Sequence, residues 1–343
     1  MKALVLKEYG NLVYEDVVMP EIGDEDVLIE VKACGICGSD VHGSDGSTGR
    51  RKPPIIMGHE ASGVIAEVGR AVTDWKKGER VTFDSTVYCG ECWFCRRGEI
   101  NLCDNRRVLG VSCDDYRRHG AFADYVAVPQ RILYRLPDAT SFEQAAMVEA
   151  LTVAVHAVRR AALRPDDTAV VVGVGMIGLL VVQVLRATGC GRIVAVDVEQ
   201  AKLELAAQLG TDVALNADAA NVAAEVGRQT EGRGADVAFE VVGITPTVRT
   251  AVASLRKGGT LVLVGNLAPT VELPLQSVVT RQLDLRGSCA SCGEYPACLD
   301  MIAKRQVNVD ALISAVAPLR EGAAWFERLY KNEKGLMKVI LKP

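Results

Sequence analysis

Four cysteines stand close together as Cys89, Cys92, Cys95 and Cys103, spaced C-x2-C-x2-C-x7-C. Four thiolates at such spacing can close one tetrahedron around zinc, with no position left for a substrate; that is a structural site. An iron–sulfur cluster also takes four cysteines. Its signature expects three residues and then Cys-Pro after the third thiol, whereas this chain has seven residues and then Cys103-Asp104. Plain buried thiols are the third reading. Zinc is the preferred one.

A second constellation is Gly173-Val174-Gly175-Met176-Ile177-Gly178, which follows an apolar strand and opens a helix. The first glycine allows the tight turn, the second lets backbone approach a pyrophosphate, and the third lets helix pack on strand. The diphosphate then rests on free N–H groups at the helix N-terminus. Asp197 closes the next strand, where its carboxylate suits an adenosine ribose. Val198 and Glu199 follow with no Arg for a 2′-phosphate, so NAD is expected rather than NADP. Lys202, in the following helix, is a further candidate cofactor contact.

Cys37, His59, Glu60 and Glu149 offer a thiolate, an imidazole and two carboxylates. All are good zinc ligands, and a catalytic zinc takes three and keeps a fourth place open. Each alone is weak, because a lone His is usually packed and a lone Glu usually solvated.

The elements that would carry these groups fall into two textures. The first 135 residues read as short strands and loops, including 27–33, 62–68 and 80–83. Ser141 to Gln144 fits a capping box, and 145–163 reads as one long helix with Glu149 near its start. Strands at 168–172, 192–197, 213–216, 236–242, 260–264 and 283–287 then alternate with helices, the pattern of a doubly wound parallel sheet. Helices at 294–305 and 323–331 and a strand at 338–341 follow.

The chain has 343 residues, which suggests about two domains. Its net charge is -4 and it has no Lys/Arg block, so neither nucleic acid nor membrane is an expected partner. The apolar run 169–182 is shorter than the roughly 20 residues of a membrane span. The odd count of 11 cysteines and the alternating start MKALVLKEYG, which has no signal-type apolar core, favour reduced thiols in a cytoplasm.

Four motifs together resemble the zinc-containing medium-chain dehydrogenase/reductase family: Gly35–Asp40 (GICGSD), Gly58–Gly69 (GHE-x2-G-x5-G), the four-Cys lobe and the glycine fingerprint. The resemblance spans nearly the whole chain and is greatest to the polyol branch, that of sorbitol (L-iditol) 2-dehydrogenase and galactitol-1-phosphate dehydrogenase. It implies an α/β chain: a GroES-like, β-rich catalytic domain at 1–151 with the zinc lobe at 89–103, a Rossmann domain at 152–288, and a return to the catalytic domain at 289–343. It implies two zinc ions per chain and NAD. Cys37 and His59 would hold the catalytic zinc with Glu149, which stands where alcohol dehydrogenases have a second Cys. Glu60 is a ligand in some states of the family and a neighbour in others. Ser39 and His42 match the proton relay, which runs through the cofactor ribose, and Asp40 matches a group that orients the site. Val242 and Val264, within the strand ends 241–243 and 264–266, would meet the nicotinamide half through backbone. Two departures stand out: Glu149-Ala150 replaces the branch's Glu-Pro, and 287–292 lacks its Arg-Tyr pair.

The expected reaction is zinc-dependent hydride transfer from a secondary alcohol of a polyol or sugar derivative to NAD, by a homodimer or homotetramer. Alternatives are a galactitol-1-phosphate or L-galactonate/L-gulonate type dehydrogenase, L-threonine 3-dehydrogenase, and a non-catalytic dinucleotide-binding protein. Other groups carry plainer expectations. Cys34 and Cys37 lack the context of a redox dithiol. Cys289, Cys292, Cys113, Cys190 and Cys298 read as small buried thiols, and His156 as a packed core residue. Arg50, Arg51, Lys52, Arg117 and Arg118 read as solvated surface, or as an anion grip if they face the substrate. His119 is not expected to do chemistry.

Overall fold

The computed structural model describes residues 1–113 and 116–343, the side chains of 112–117 aside, so the expectations for Cys113 and Arg117 lie outside the described residues. The chain forms two compact units. One comprises 1–149, 292–304 and 309–343; the other comprises 150–291 and 305–308.

The first unit is built around the strand Asp26–Gly35. Its Val27, Leu28, Ile29, Val31 and Ala33 are buried, β-branched residues among them. It pairs antiparallel with Glu60–Val68, with Tyr125–Pro129 and with the C-terminal strand Lys338–Lys342. Among the described residues this sheet has seven strands, extended by Arg80–Phe83, Leu133–Arg135 and Ile313–Pro318. Leu4, Ile29, Ile65, Phe83 and Phe122 fill its core, and Phe122 meets Phe326 edge to face at 5.7 Å.

The capping box at Ser141 and Gln144 forms in full. The expected single helix is instead two, Phe142–Ala146 and Val148–Ala161. The break falls at Met147, whose N–H bonds the Gln144 carbonyl three residues back at 3.1 Å, a step tighter than an α-turn.

The second unit is the expected doubly wound sheet, all parallel, in the order 213–216, 192–197, 168–172, 235–240, 255–263, 284–287. Thr168–Val172 is buried at every residue, as a strand covered by helices on both faces must be. Strand order reverses between 168–172 and 235–240, and the loops beyond the carboxyl ends there form the usual ligand crevice of such a sheet.

Candidate functional site

Pairing of Asp26–Gly35 with Glu60–Val68 sets Gly35 opposite Glu60. Cys37 therefore lies two residues past the end of one strand, and His59 one residue before the start of the other. Cys37 Sγ, an imidazole nitrogen of His59 and a carboxylate oxygen of Glu60 all lie within 4.8 Å of one another. A Cβ on residue 35 would come within 2.4 Å of Glu60 Oε2, so glycine there makes room for the carboxylate.

The surroundings of this cluster are charged and dry. His59 Nδ1 lies 3.3 Å from Asp40 Oδ2, and Asp40 is fully buried. Burial pushes the Asp40 carboxyl up, but His59 and Arg51 outweigh it and hold the group well below the usual carboxylate range. Burial likewise opposes the His59 cation, yet Asp40 and Cys37 raise its pKa well above the ordinary value. Glu60 Oε2 accepts from Lys338 Nζ at 2.5 Å, while the buried Glu60 Oε1 has no hydrogen-bond partner among the described residues. Lys338 also donates to the Ile36 carbonyl at 3.1 Å.

Ser39 Oγ donates to Cys37 Sγ at 3.3 Å. Ser39 and His42 lie three residues apart on the helix Gly38–Ser44, a spacing that places them on one face, and both are exposed. Glu149 lies outside the 4.8 Å set. Its Oε1 accepts from Ser85 Oγ at 3.4 Å. Burial, opposed by His59 and reinforced by Glu60 and Asp84, pushes it up to about 7.

This donor set fits zinc. A thiol, an imidazole and a carboxylate converge, and the carboxylate keeps an unpartnered buried oxygen. A carboxylate behind the imidazole, as Asp40 is here, fixes the tautomer of a ligating His and strengthens it as a donor.

The four-Cys lobe also converges. Cys103 Sγ and Cys95 Sγ lie 3.5 and 4.0 Å from Cys89 Sγ. A tetrahedron with Zn–S bonds of about 2.3 Å has edges of about 3.8 Å. Backbone N–H groups of Glu91 and Cys92 bring Cys89 down to about 6, while burial pushes Cys95 up to about 12. Thiols this close ionise at one another's expense, and a dication among them removes the conflict.

In the second unit, Gly173 takes φ +91, and a Cβ on Gly178 would lie 2.0 Å from the Gly173 carbonyl oxygen. A Cβ on Gly175 meets nothing within 4 Å, and the helix Met176–Ala187 starts there without a side-chain cap. This open backbone fits a pyrophosphate. Asp197 accepts from the N–H groups of Val174, Val198 and Glu199 at 2.9, 2.8 and 3.0 Å. Lys202 pairs with Glu199 at 2.5 Å. Val242 N–H donates to Glu240 Oε1 at 2.9 Å, and Val264 N–H to the Glu240 carbonyl at 2.9 Å, so one residue holds both strand-end loops.

Some plain expectations change. Arg51 is not solvated surface: it is 3% exposed and bonded to Asp40. Arg118 is half-buried and donates to Asp26 and to the Ala127 carbonyl. Cys289 is exposed rather than buried, and the partly exposed Cys292 donates to the Gly98 carbonyl at 3.1 Å. Cys190 and Cys298 are buried as expected. His119 Nδ1 accepts the Ile56 N–H at 3.2 Å, a backbone-fixing role. Lys338 was not singled out from sequence; a Lys opening a C-terminal strand carries no local signal of a buried partner.

A thiol–imidazole–carboxylate cluster, a four-thiol lobe and a dinucleotide loop on one chain define a metal-assisted nucleotide oxidoreductase. Residues 23–138 match the family model for the alcohol dehydrogenase GroES-like domain, and 175–304 that for zinc-binding dehydrogenases. The chain is 34% identical to sorbitol dehydrogenase of Bacillus subtilis, covering all of this chain and 97% of that one. It is 34% identical to D-xylulose reductase A of Aspergillus oryzae, covering 98% and 96%. The structure of galactitol-1-phosphate dehydrogenase from Escherichia coli superposes with a TM-score of 0.93 at 27% identity, covering all of both chains. The chain belongs to the zinc-containing medium-chain dehydrogenase/reductase family, in its polyol branch. It is an enzyme, a zinc-dependent oxidoreductase of small-molecule alcohols with a nicotinamide cofactor. Among the described residues no helix is long and apolar enough to cross a membrane.

Proposed function

We propose that the chain oxidises a secondary hydroxyl of a polyol or sugar derivative with NAD, at a site held by Cys37, His59 and a carboxylate from Glu60 or Glu149. The observation that carries this reading is the convergence of Cys37, His59 and Glu60 within 4.8 Å, with the Ser39 hydroxyl 3.3 Å from the Cys37 sulfur. Zinc held there would supply a Lewis acid for the alcohol oxygen, and NAD held at the glycine loop would supply the hydride acceptor. The chain's own groups do the rest. Asp40 keeps His59 oriented. Ser39 Oγ accepts the proton that leaves the substrate hydroxyl as it releases its own, and exposed His42 passes the released proton to solvent. Cys89, Cys92, Cys95 and Cys103 hold a second, structural zinc.

NAD is favoured over NADP because Asp197 and Glu199 put negative charge where a 2′-phosphate would sit, and the nearby cation of Lys202 pairs with Glu199. A neutral substrate is favoured because Arg51, buried beside the cluster, already serves Asp40. We place the chain in a cytoplasm as a homo-oligomer joined along the open edge strand Asp284–Gly287. The deciding experiment is a panel of polyols, aldonates, polyol phosphates and L-threonine with NAD and NADP, run on protein of measured zinc content. Saturable NAD reduction by a neutral polyol at about two zinc per chain is expected. Reduction by none of the panel at full zinc content overturns the reading.

A further inference from the structure

Arg51 belongs to the run Arg50-Arg51-Lys52, which reads in sequence as surface charge, yet it is 3% exposed. A guanidinium is buried only where acceptors meet it. Two do. Arg51 Nη2 donates to Asp40 Oδ1 at 2.7 Å and to Ser39 Oγ at 3.2 Å, and Nε reaches Asp40 Oδ1 at 3.3 Å. Each acceptor continues inward: Asp40 Oδ2 faces His59 Nδ1 at 3.3 Å, and Ser39 Oγ donates to Cys37 Sγ at 3.3 Å. The arginine stem lies over residue 43, where a Cβ would come within 2.5 Å of Arg51 Cγ; glycine there leaves the path open. One planar cation thus touches both the carboxylate behind the imidazole and the hydroxyl beside the thiol.

We infer that Arg51 is a positioning residue for Ser39, fixing the hydroxyl in register with the Asp40–His59 pair so that Oγ can take the substrate proton. The inference rests on the proposed role of Ser39. A hydroxyl has one proton and two lone pairs. Arg51 occupies one lone pair, which leaves the other for the substrate O–H; the serine's own proton, directed at Cys37 Sγ here, turns from the sulfur to move on. The guanidinium only donates and has no lone pair to accept a proton, so it holds the relay without joining it. Misplacing such a group by about 1 Å can cost on the order of 100-fold in rate.

The test is a double-mutant cycle between Arg51→Met and Ser39→Ala on full-length protein, with the alcohol it oxidises fastest. Zinc per chain and zinc affinity, by competition with a chromogenic chelator, are measured on every variant. With zinc retained, Arg51→Met is expected to lower kcat about 10–100-fold and to change KM far less. In the Ser39→Ala background the same change is expected to cost no more than about twofold, the scatter seen for uncoupled sites. If Arg51→Met loses zinc, the cycle is decided with Arg51→Lys, which keeps a charge beside Asp40 but replaces the fork by a single nitrogen. A kcat unchanged by Arg51→Met or, where Arg51→Lys decides the cycle, by Arg51→Lys, or losses that multiply in full, overturns the inference while the role of Ser39 stands. A parental rate in Ser39→Ala overturns both.

Discussion

A serine in place of Cys37 keeps the side-chain size but replaces a thiol with a hydroxyl that does not ionise near neutrality. Cys37→Ser is therefore expected to lower turnover by more than about 100-fold and to remove one of two zinc ions. NADH binding should persist, because the glycine loop lies in the other compact unit. Fluorescence titration with NADH and metal analysis check both parts, and full activity would refute the ligand role. His42→Ala is expected to slow turnover several-fold near pH 7 and little near pH 10, where hydroxide takes the proton directly; equal losses across the profile would remove His42 from the relay. Cys37, His59, Ser39 and His42 were recognisable as candidates because their residue types and motif spacing are local. Arg51 and Lys338 were not. Their significance depends on where a buried carboxylate ends up, Asp40 for one and Glu60 for the other, and only the fold decides that.

Between elements, five of the six strands of the second unit were readable to within two residues as short apolar runs, while Leu255–Leu263 starts five residues before the apolar run 260–264 that marks it. The joints were less so. Asp236, at the start of Ala235–Glu240, accepts from the Thr168 N–H at 2.8 Å and from Arg256 Nε at 2.6 Å, tying three strands together. Burial pushes its carboxyl up, but the bonds from Arg256 and Thr168 outweigh this and lower its pKa. A lowered pKa stabilises the fold above the unfolded carboxyl's value of about 3.9. That contribution is lost as pH falls through the folded value. Asp236→Asn is expected to cost about 1–2 kcal/mol at pH 7, allowing for the partial exposure of Arg256. The gap between variant and parent should close as pH falls below about 4. Urea unfolding at several pH values measures it, and a gap independent of pH would show that the ion pair is not its source. In the first unit, the pairing that brings Cys37 to His59 was not readable, because the helix Gly38–Ser44 and the strand Ile55–Ile56 intervene between the partner strands and their register is set by tertiary packing. The break at Met147 was hidden for a similar reason: the Ala/Val-rich stretch has helical spacing on both sides of it.

At the scale of the whole molecule, the second unit leaves apolar surface without a partner among the described residues. Leu267, Leu275 and Val279 are exposed at 62%, 63% and 68%, in the segment that leads into the edge strand Asp284–Gly287. Among the described residues that strand pairs on one side only, with Leu255–Leu263, and no further strand covers its other side, where the Gly287 carbonyl accepts from Arg160 Nε. An open strand edge next to exposed leucines and valines is covered most simply by a second copy of itself. Two-fold symmetry brings the same patch to both sides of the contact. Side chains exposed to this degree contribute little to folding of the single chain, so charges placed there should act on association alone. Leu275→Asp with Val279→Asp is therefore expected to reduce the molar mass in light scattering to that of one 343-residue chain, or to half that of the parent assembly if further contacts persist. The thermal midpoint extrapolated to low protein concentration should stay close to the parent's. A parent that is already monomeric at micromolar concentration, or a double variant of undiminished mass, would show that this edge does not join the subunits.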